Sequence, residues 1–479
     1  MNKNKPIRLI SLFSGYDSQL LALKYLGMNV ESWRTCEWVV KSIQALKDLH
    51  FGNDNIDYSK DLAKEELIDF LVKKGISADY NKPMTEKQVQ RLGETKLRII
   101  YNNIKATHNM VNIQQVNGND LGIEELDKYN YIMTYSYPCQ DLSLAGKQKG
   151  MAEGSGTRSS MLWEVGRILE ECYRGGYLPQ ILLMENVPQV HGKKNIEYFN
   201  LWLDKLKSLG YKNHWKDLNA KDYGVPQNRN RCFVVSLLGN RSYEFPKPIE
   251  LKLKLKDLLE ETVDEKYYLN NKQLDYILDV NNVALASGRD INQRIVNPNI
   301  AKTISCRGAA DQRADVTNFV VNDNNKEYKA IDLKEKLNLI LPLQKQVCNK
   351  ALNFVEPTDV IDYTYSNSRL EEMGEGYIKT KNKYNNNIGC TLTTNSQNFG
   401  VCVKESKNFR IRKFVPKECF KLMGVCDKDF EKIAKNQSDS SLYHLAGDSI
   451  VTTCLGAIFG SLFGIDWIEK FSKLGIIKK

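Results

Sequence analysis

The residues of this sequence best suited to chemistry are a cysteine, a glutamate and two arginines, each next to an apolar run. Cys139 stands in "YPCQ", directly after the run from Tyr131 to Tyr137. A thiolate is both a strong nucleophile and a competent leaving group, so a cysteine fixed by Pro138 at a strand end could bond transiently to a substrate. Free cysteine is also among the most buried residue types, so a strand-end turn with a semi-buried thiol is the alternative.

A carboxylate ends a second apolar run. Glu185 and Asn186 follow four apolar residues in "ILLMENV", which extends from Ile181 to Val187. At the end of a buried strand, such a carboxylate is either a satisfied cap for the next segment or a general acid whose pKa is raised by burial. The residues alone leave both interpretations open.

Two arginines open a third apolar segment. Arg229 and Arg231 stand in "QNRNRCFVV", and residues two apart point to the same face of a strand. Two guanidinium groups on one face favour an anion or a carbonyl as their partner, and a salt-bridged surface pair is the alternative.

The stretch "LFSGYDSQ" predicts a strand, a turn at Gly15 and the start of a helix, where a polar group of a cofactor can bind. It has one glycine rather than G-x-G-x-x-G, so a dinucleotide phosphate is disfavoured. About 20 residues further on, Glu37 could accept both hydroxyls of a ribose, and Trp38 offers a face for a purine. An ordinary surface acid is the alternative for Glu37.

Strand-like and helical segments alternate over the first 240 residues. This alternation predicts βαβ units and a parallel sheet covered by helices on both faces. Ligands of such sheets bind at the carboxyl ends of the strands, where Gly15, Cys139 and Glu185 fall. The predicted strands are Ile7–Phe13, Tyr129–Tyr137, Ile181–Val187 and Arg231–Leu238, and the predicted helices include Ser18–Gly27 and Ser159–Tyr173.

Two segments break this alternation. Residues from about 54 to 115 are polar, rich in Lys and Asn and mostly helical in pattern, which indicates an insertion. Residues 241–408 have little periodicity and many short β-like pieces, and the tail returns to helical patterns. We therefore predict a catalytic and cofactor-binding domain over residues 1–240, a smaller domain over 241–434, and a C-terminal helical segment, 435–479, that completes the first domain.

Composition restricts the class of protein. The net charge of +10 is compatible with a polyanionic partner. The eleven cysteines include no CxxC pair, and there are five histidines, so we expect neither a metal site nor a disulfide scaffold. No secretory signal is visible, and the apolar stretch from Thr453 to Ile468 is shorter than the roughly 20 residues of a membrane span. We expect a cytoplasmic protein with no membrane partner.

Taken in order, the motifs "LFSG", "EW", "PCQDLS", "GTRS", "ENV", "QNRNR", "PKECFKLMG" and "GDSI" resemble those of the C5-cytosine DNA methyltransferase family. The resemblance covers residues 7–45, 117–240 and 409–465. It implies a Rossmann-like, S-adenosylmethionine-dependent α/β fold with a doubly wound, mostly parallel sheet. It also implies that residues 241–434 form an irregular, β-containing target-recognition domain.

The resemblance assigns a first group of residues to S-adenosylmethionine. Phe13 and Gly15 would border the cofactor, Glu37 would hold its ribose hydroxyls, and Trp38 would stack on its adenine. Asp120, in "GNDL", would meet the adenine amine. The remaining expected cofactor residues are Leu121, Pro138, Asp448 and Ser449.

The resemblance assigns a second group to catalysis and DNA. Cys139 would be the nucleophile, Glu185 would contact N3 of cytosine, Arg231 would support the O2 of the base, and Arg229 would brace the site. Residues 141–158 would form a loop that closes over DNA. The expected DNA contacts are Gln140, Ser143, Arg158, Gln227, Thr303 and Thr391.

The implied activity is transfer of a methyl group to carbon 5 of cytosine in duplex DNA, with the target base flipped out of the helix. We expect a monomer that serves restriction–modification or the protection of phage or host DNA, with any cognate restriction endonuclease encoded separately. Two motifs depart from the family pattern. Tyr16, Asp17 and Ser18 stand where further glycines are usual, and Asp448 replaces the asparagine of Gly-Asn-Ser.

Three alternatives stay open. A tRNA C5-cytosine methyltransferase is disfavoured by the roughly 170 residues between "QNRNR" and "PKECFKLMG", for which a compact tRNA enzyme has no use. A non-catalytic DNA-binding protein on the same scaffold is disfavoured by the intact Cys139, Glu185 and arginines. A nicotinamide-dependent oxidoreductase is disfavoured by the missing phosphate-binding glycines.

Overall fold

The computed structural model describes residues 5–138, 151, 158–268 and 410–479, and four short strands between the last two ranges. Cys139, Gln140, Ser143, Thr303 and Thr391 lie outside the described residues. Arg158 begins a short 3-10 helix, and its side chain also lies outside the description. The target-recognition domain expected between 241 and 434 therefore stays a prediction for most of its length.

A six-stranded sheet forms the centre of the described chain, in the order β2-β1-β3-β4-β7-β5. Neighbours among β1, β2, β3 and β4 pair in parallel, which confirms the mostly parallel α/β fold. The last two strands, β7 and β5, are antiparallel, because they are joined without a crossover helix. The strands are β1 (Ile7–Leu12), β2 (Val30–Cys36), β3 (Asn130–Tyr135), β4 (Ile181–Asn186), β5 (Tyr211–Asn219), β6 (Gln227–Asn228) and β7 (Asn230–Leu238), followed by β8 (Val320–Asn322), β9 (Val360–Ile361), β10 (Gly389–Cys390), β11 (Cys402–Val403) and β12 (Arg410–Arg412).

Helices cover both faces of the sheet, because successive side chains of a buried strand point to opposite sides. Ile181 and Leu183 of β4 face one apolar core, and Leu182 and Met184 face the other. The described helices of eight or more residues are α1 (Ser18–Tyr25), α2 (Val40–His50), α3 (Lys64–Lys74), α5 (Glu94–Ala106), α6 (Leu162–Gly175), α7 (Ile196–Ser208), α9 (Asp427–Ala434), α10 (Asp439–Asp448) and α11 (Thr452–Phe463). Shorter helices are α4 (Glu86–Gln90), α8 (Pro416–Leu422) and α12 (Trp467–Lys473).

The inserted segment is helical, as its sequence pattern indicates. Helices α3, α4 and α5 enclose a small core of their own, to which α2 contributes Ile43. Leu67, Leu71 and Leu97 are fully buried in it. The insertion is thus a helical subdomain fixed to the outer side of α2.

The C-terminal helices belong to the main core rather than to a separate unit. Phe414 and Phe420 are fully buried in the same cluster as Leu9 of β1 and Leu20 of α1. The segment Asp439–Phe463 has the length and hydropathy of a membrane span, and 78% of its most apolar window is buried inside the protein. Burial of this kind is typical of a core element.

A buried ion pair fixes the start of the C-terminal part. Arg412 donates to both carboxylate oxygens of Glu418, at 2.8 and 2.9 Å, and the side chains are 2% and 0% exposed. We expect Arg412→Met to lower the free energy of unfolding by about 3–5 kcal/mol, because it leaves a buried carboxylate without its counter-ion. Urea titration measures this. Lys473→Ala, which breaks an exposed pair with Glu469, is the control and should change it by less than about 0.5 kcal/mol.

The double variant Arg412→Met/Glu418→Leu tests the cause. Replacing both charges with apolar groups of similar size removes the unpaired carboxylate, so part of the lost stability should return. The return should be incomplete, because Glu418 also accepts from the backbone amides of Val415 and Glu260, which leucine leaves unpaired. A double variant less stable than Arg412→Met would show that these two bonds outweigh the unpaired charge.

Candidate active site

A cavity of about 420 Å³ opens at the carboxyl ends of β1, β2, β3 and β4. Parallel strands bring their carboxyl ends to one edge of a sheet, so side chains far apart in sequence meet there. Ten residues selected from the sequence line this cavity: Phe13, Gly15, Glu37, Trp38, Pro138, Glu185, Arg229, Arg231, Asp448 and Ser449.

Glu37 is held at the end of β2 by backbone donors. Its carboxylate accepts from the amides of Gly15, at 2.9 Å, and Val39, at 2.8 Å. Asn109 fixes the backbone of Glu37 from both sides, donating to its carbonyl and accepting from its amide. Burial raises the pKa of Glu37, and the backbone donors oppose that rise. The result is an oriented acid at one end of the cavity.

The turn after β1 contains three left-handed residues, Phe13 (φ 56°), Gly15 (φ 55°) and Asp17 (φ 58°). Aspartate is one of the few residues that tolerate this conformation, because its short side chain bonds locally. Asp17 Oδ1 accepts from the amide of Leu20 and from the hydroxyl of Ser11, both at 3.0 Å, and caps α1. The departure from the glycine-rich family pattern therefore keeps the turn and adds a helix cap.

A half-buried histidine fixes the same turn. His50 Nε2 lies 3.0 Å from the carbonyl of Tyr16 and 3.1 Å from that of Asp17, so this nitrogen carries the proton. Lys24 Nζ lies 3.2 Å from the other ring nitrogen. Burial first, and then the charge of Lys24, lower the pKa of His50 to about 3, so the ring is neutral.

The C-terminal motif closes the other side of the cavity. The Tyr16 hydroxyl donates to Ser449 Oγ at 3.0 Å, and this bond joins the β1 turn to the segment after α10. Arg229 is 3% exposed and donates to the carbonyls of Gly447 and Ser449, each at 2.9 Å. Asp448 lines the cavity, where its side chain is open to solvent. Desolvation by the cavity walls first, and then the charge of Glu37, raise its pKa to about 7.

Glu185 and Arg231 meet at the end of β4. Arg231 Nε lies 3.1 Å from Glu185 Oε1, and the side chains are 15% and 9% exposed. Burial raises the pKa of Glu185, and the charges of Arg231 and Arg229 oppose that rise. The two arginines chosen from the sequence thus have different partners, a carboxylate for Arg231 and backbone carbonyls for Arg229.

The chain that leads into Cys139 is anchored beside this pair. Asn186 Nδ2 donates to the carbonyl of Tyr137 at 3.1 Å, and Ser159 Oγ donates to the carbonyl of Pro138 at 2.8 Å. The last described residue before Cys139, Pro138, therefore lines the cavity together with Glu185.

Three residues chosen from the sequence lie away from the cavity. Asp120 accepts from the amide of Asn117 at 2.8 Å and caps a 3-10 helix, and Leu121 is fully buried in the core. Gln227 is fully buried and donates to the carbonyl of Leu422 at 2.6 Å, a placement that contradicts a contact with DNA. In a motif as short as "GNDL", an aspartate that caps a turn has the same sequence signature as one that contacts a cofactor. The motif alone therefore could not place Asp120.

Three further cavity residues carry no recognisable sequence signal. Asn112, Ile113 and Gln114 line the cavity on the side of Trp38. They occur in "MVNIQQV", a stretch without charge, glycine or periodicity, so only the fold identifies them.

One set of possible metal ligands occurs in the part of the chain that the structure describes. One ligand atom each of His191, Asp217 and Cys232 lies within 4.8 Å of the others. His191 Nε2 already bonds the Asp217 carboxylate at 2.9 Å. The expectation of a metal-free protein stays a prediction.

The cavity fits S-adenosylmethionine. Its volume lies within the usual range of about 300–1,000 Å³ for ligand pockets. Ser14 Oγ is buried and has no hydrogen-bond partner among the described residues, and such orphaned groups are normally satisfied by a ligand or water. Two acids in the lining, Glu37 and Asp448, suit a ligand with hydroxyl groups and a positive charge.

Comparison with known proteins gives the family. The sequence profile of "C-5 cytosine-specific DNA methylase" matches residues 74–464. The orphan methyltransferase M.SssI of Spiroplasma monobiae is 39% identical over 56% of this chain and 69% of its own length. The type II methyltransferase M2.ScrFI of Lactococcus lactis subsp. cremoris is 30% identical over 95% of this chain and 99% of its own.

The fold has a counterpart among solved structures. The Dnmt2 methyltransferase of S. pombe aligns with 95% of this chain and 98% of its own, with a TM-score of 0.51 and 13% identity. At that identity, the likeness concerns the fold alone. The match of the family profile to most of the chain and the full-length type II relative show that this protein belongs to the C-5 cytosine-specific DNA methylase family and is a DNA cytosine methyltransferase.

Proposed function

We propose that this enzyme methylates carbon 5 of cytosine within a specific duplex sequence through a covalent adduct between Cys139 and carbon 6 of a flipped base. The observation that carries the proposal is the cavity itself. It brings the oriented acid Glu37 at one end into the same space as Glu185, Arg231 and Pro138, the residue before Cys139.

The cofactor end of the cavity would hold S-adenosylmethionine, which supplies the methyl group as an electrophilic sulfonium. Glu37 would accept the ribose hydroxyls, Trp38 would stack on the adenine, and Phe13 would border the cofactor. We assign the adenine-facing role expected of Asp120 to Asn112 and Ile113 instead, because these residues line the cavity. The backbone at Gly15 and Ser449 would contact the methionine part.

The chemical end would activate the base. The Cys139 thiolate adds to carbon 6 of cytosine, and the ring electrons that move to carbon 5 form the new bond to the methyl group as the methyl–sulfur bond breaks. A base then takes the proton from carbon 5, the sulfur–carbon bond breaks, and the thiolate is regenerated. Carbon 5 of free cytosine is too weak a nucleophile for direct transfer, so the addition is needed.

Glu185 and Arg231 would stabilise the charge of the adduct. Addition of the thiolate places electron density on N3 and O2 of the ring. A carboxyl whose pKa is raised by burial can hydrogen-bond or protonate N3, and the adjacent guanidinium can bond O2. Arg229 would brace the site through its bonds to the segment after α10.

The DNA would lie across the mouth of this cavity. We propose that Gln140, Ser143 and Arg158 contact it from the loop 141–158, and that Thr303 and Thr391 contact it from the target-recognition domain. Because residues from Phe414 onwards pack in the main core, we propose that this domain lies between about 269 and 409. The net charge of +10 supports salt-sensitive binding to the phosphate backbone.

We place the enzyme in the cytoplasm as a monomer. The similarity to a type II methyltransferase over almost the whole chain supports a role in restriction–modification, with an endonuclease encoded separately. Protection of phage or host DNA without such a partner is the other role that the same activity allows.

Labelled product identifies the substrate. Purified protein is incubated with isotopically labelled S-adenosylmethionine and either mixed-sequence duplex DNA or total tRNA, and the nucleosides are then separated by mass spectrometry. Labelled 5-methyldeoxycytidine from DNA alone is expected. Label in ribonucleosides would replace this proposal with the tRNA enzyme. Label in neither DNA nor tRNA would contradict methylation of a target sequence that occurs commonly in the DNA.

Asp448 should make cofactor binding depend on pH. The carboxyl ionises near pH 7 in the free enzyme, and a sulfonium favours the ionised form, so we expect the affinity for S-adenosylmethionine to rise as the pH increases from 6 to 8. Asp448→Asn should bind more weakly at pH 8 and lose this dependence. Calorimetric titration at several pH values measures both effects.

The stability of the free enzyme should change in the opposite sense. A carboxyl whose pKa is raised by folding holds its proton more strongly in the folded protein, so its ionisation destabilises the fold as the pH rises towards 7. Because the side chain is open to solvent, this effect is screened, and without ligand at pH 8 Asp448→Asn should melt at, or only slightly above, the temperature of the wild type. An Asp448→Asn variant that keeps the wild-type pH dependence of cofactor affinity would contradict the assignment of that dependence to this carboxyl.

A further inference from the structure

The inserted helical subdomain reaches the cofactor cavity. Its loop from Ile76 to Met84, between α3 and α4, contributes four consecutive residues, Tyr80 to Pro83, to the lining. The rest of the insertion lies outside the cavity until the chain returns to it at Val111. The motifs that resemble the methyltransferase family do not include this loop.

The loop is hydrogen-bonded to the backbone at Trp38, a residue assigned to the adenosine part, and at Val40 directly after it. Ser77 donates its amide proton to the carbonyl of Trp38 at 2.7 Å and accepts from the amide of Val40 at 3.0 Å. Its hydroxyl donates to the carbonyl of Lys82 at 2.7 Å, which closes the loop on itself. These bonds fix the loop against the end of β2 and the start of α2.

Tyr80 connects this side of the cavity to the opposite one. Its ring stacks on His444 of α10, with centroids 5.2 Å apart and an interplanar angle of 16°. Its hydroxyl lies 3.4 Å from Ser42 Oγ of α2. Burial first, and then the negative charges of Asp448 and Glu37, raise its pKa. The side chain therefore bridges α2 and α10, and it lies within the electrostatic reach of both Asp448 and Glu37.

The backbone of Tyr80 is in the left-handed region, with φ of 64°. A tyrosine in this conformation costs energy that asparagine or glycine would not, so the surrounding bonds must hold it there. Backbone strain of this kind concentrates at ligand sites. Here it coincides with an independent observation, the place of the residue in the cavity wall.

We propose that the loop Ile76–Met84 is part of the S-adenosylmethionine site and that Tyr80 is a cofactor-binding residue that completes the wall between Glu37 and Asp448. This inference rests on the proposed function. The insertion then has a role in the known reaction, because it supplies a face of the pocket that the sheet and the C-terminal helices leave open. An aromatic ring is suited to that role, since it adds a large apolar area and an electron-rich face to a site for a cationic nucleoside.

Direct titration of the cofactor, without DNA, tests the proposal. We expect Tyr80→Ala to raise the dissociation constant of S-adenosylmethionine about tenfold or more, because it removes one aromatic contact from a closed pocket. Tyr80→Phe keeps the ring and its stacking on His444, so its dissociation constant should stay within about threefold of the wild type. In steady-state kinetics with DNA, Tyr80→Ala should raise the KM for the cofactor and leave the KM for DNA unchanged.

Tyr101→Ala is the matched control. Tyr101 belongs to the same insertion, is partly buried, and packs on Phe70 with centroids 4.7 Å apart, outside the cavity. It should lower the melting temperature of the insertion without changing cofactor affinity. Equal affinity of Tyr80→Ala and wild type, with both folded by circular dichroism, would overturn the proposal. Equal losses in Tyr80→Ala and Tyr101→Ala would also overturn it, because the loop would then act only through stability.

Cofactor binding by the wild type and by Tyr80→Ala separates the proposed function of the enzyme from the proposed role of the insertion. A wild-type protein that does not bind S-adenosylmethionine would contradict the proposed function itself. A wild type that binds, with a Tyr80→Ala variant that binds equally well, would contradict only the role of the insertion.

Discussion

Replacing Glu185 by glutamine is expected to lower the rate of methyl transfer about 10²- to 10⁴-fold, the usual contribution of a positioned general acid. Glutamine has the same shape and can still donate a hydrogen bond, but it has no proton to transfer. The affinity for S-adenosylmethionine should stay within about twofold, because the cofactor residues lie at the other end of the cavity. Single-turnover measurement with excess enzyme isolates the chemical step from product release.

The environment of Glu185 explains the size of this effect. The Glu185 side chain is buried, and burial raises its pKa although Arg231 lies 3.1 Å away and opposes the rise. A group of this kind retains its proton to higher pH than an exposed glutamate, and so is better able to give it to N3 of cytosine. The pair also holds the carboxyl in one orientation, which a solvated side chain would not keep.

The pH profile distinguishes acid catalysis from simple hydrogen bonding. If Glu185 donates a proton, the wild-type rate of the chemical step should fall as the pH rises through its pKa, because the ionised form has no proton to give. The glutamine variant should lack this alkaline limb. Glu164→Gln, which removes a surface carboxylate paired with Arg167 at 2.9 Å, is the matched control and should keep both rate and profile. A Glu185→Gln variant with wild-type rate would contradict the role of Glu185.

The central strands were predictable because buried strands appear in the sequence as short runs rich in apolar residues. The four predicted strands occur as β1, β3, β4 and β7, and their mostly buried patterns reflect helices on both faces. The site followed from the position of polar residues at strand ends. Glu185 ends the apolar strand β4, Glu37 follows β2, and the carboxyl ends of parallel strands converge.

What the sequence could not predict depends on contacts between distant segments. Asp17 replaces a usual glycine without loss of the turn, because Ser11 and the amide of Leu20 satisfy its carboxylate. Gln227 was expected to contact DNA, but its side-chain amide donates to the carbonyl of Leu422 inside the core. Tyr80 reaches His444 only in the folded chain. Periodicity and motif order contain no information on such pairs.

A covalent complex with DNA should accumulate when every cytosine of the duplex is replaced by 5-fluorocytosine and S-adenosylmethionine is present. After methyl transfer, carbon 5 bears fluorine where it would bear a proton. No base can remove that fluorine as a cation, so the Cys139–carbon 6 bond cannot break by elimination. The complex should survive denaturing electrophoresis, and its formation does not require the target sequence to be known.

Cys139→Ala should abolish both this complex and turnover, a loss at the limit of detection, because the mechanism requires this thiol. Cys232 and Cys454, two described cysteines near Glu185, are buried, and burial raises the pKa of both thiols, so neither should replace it. Cofactor affinity should change little, since the thiol acts on the base rather than on S-adenosylmethionine. Cys426→Ala is the matched control: Cys426 is a free, half-buried cysteine whose sulfur bonds Asp429 at 3.3 Å, outside the cavity. It should form the complex at the wild-type rate.

The position of the adduct follows from the anchoring of the chain before it. Asn186 and Ser159 bond the carbonyls of Tyr137 and Pro138, so the chain enters Cys139 from a fixed point next to Glu185. Peptide mapping of the trapped complex should therefore locate the DNA on the peptide containing Cys139. A complex that persists in Cys139→Ala, or that maps to another cysteine, would contradict the mechanism. The fixed approach of the chain would then serve another purpose, such as holding the loop 141–158.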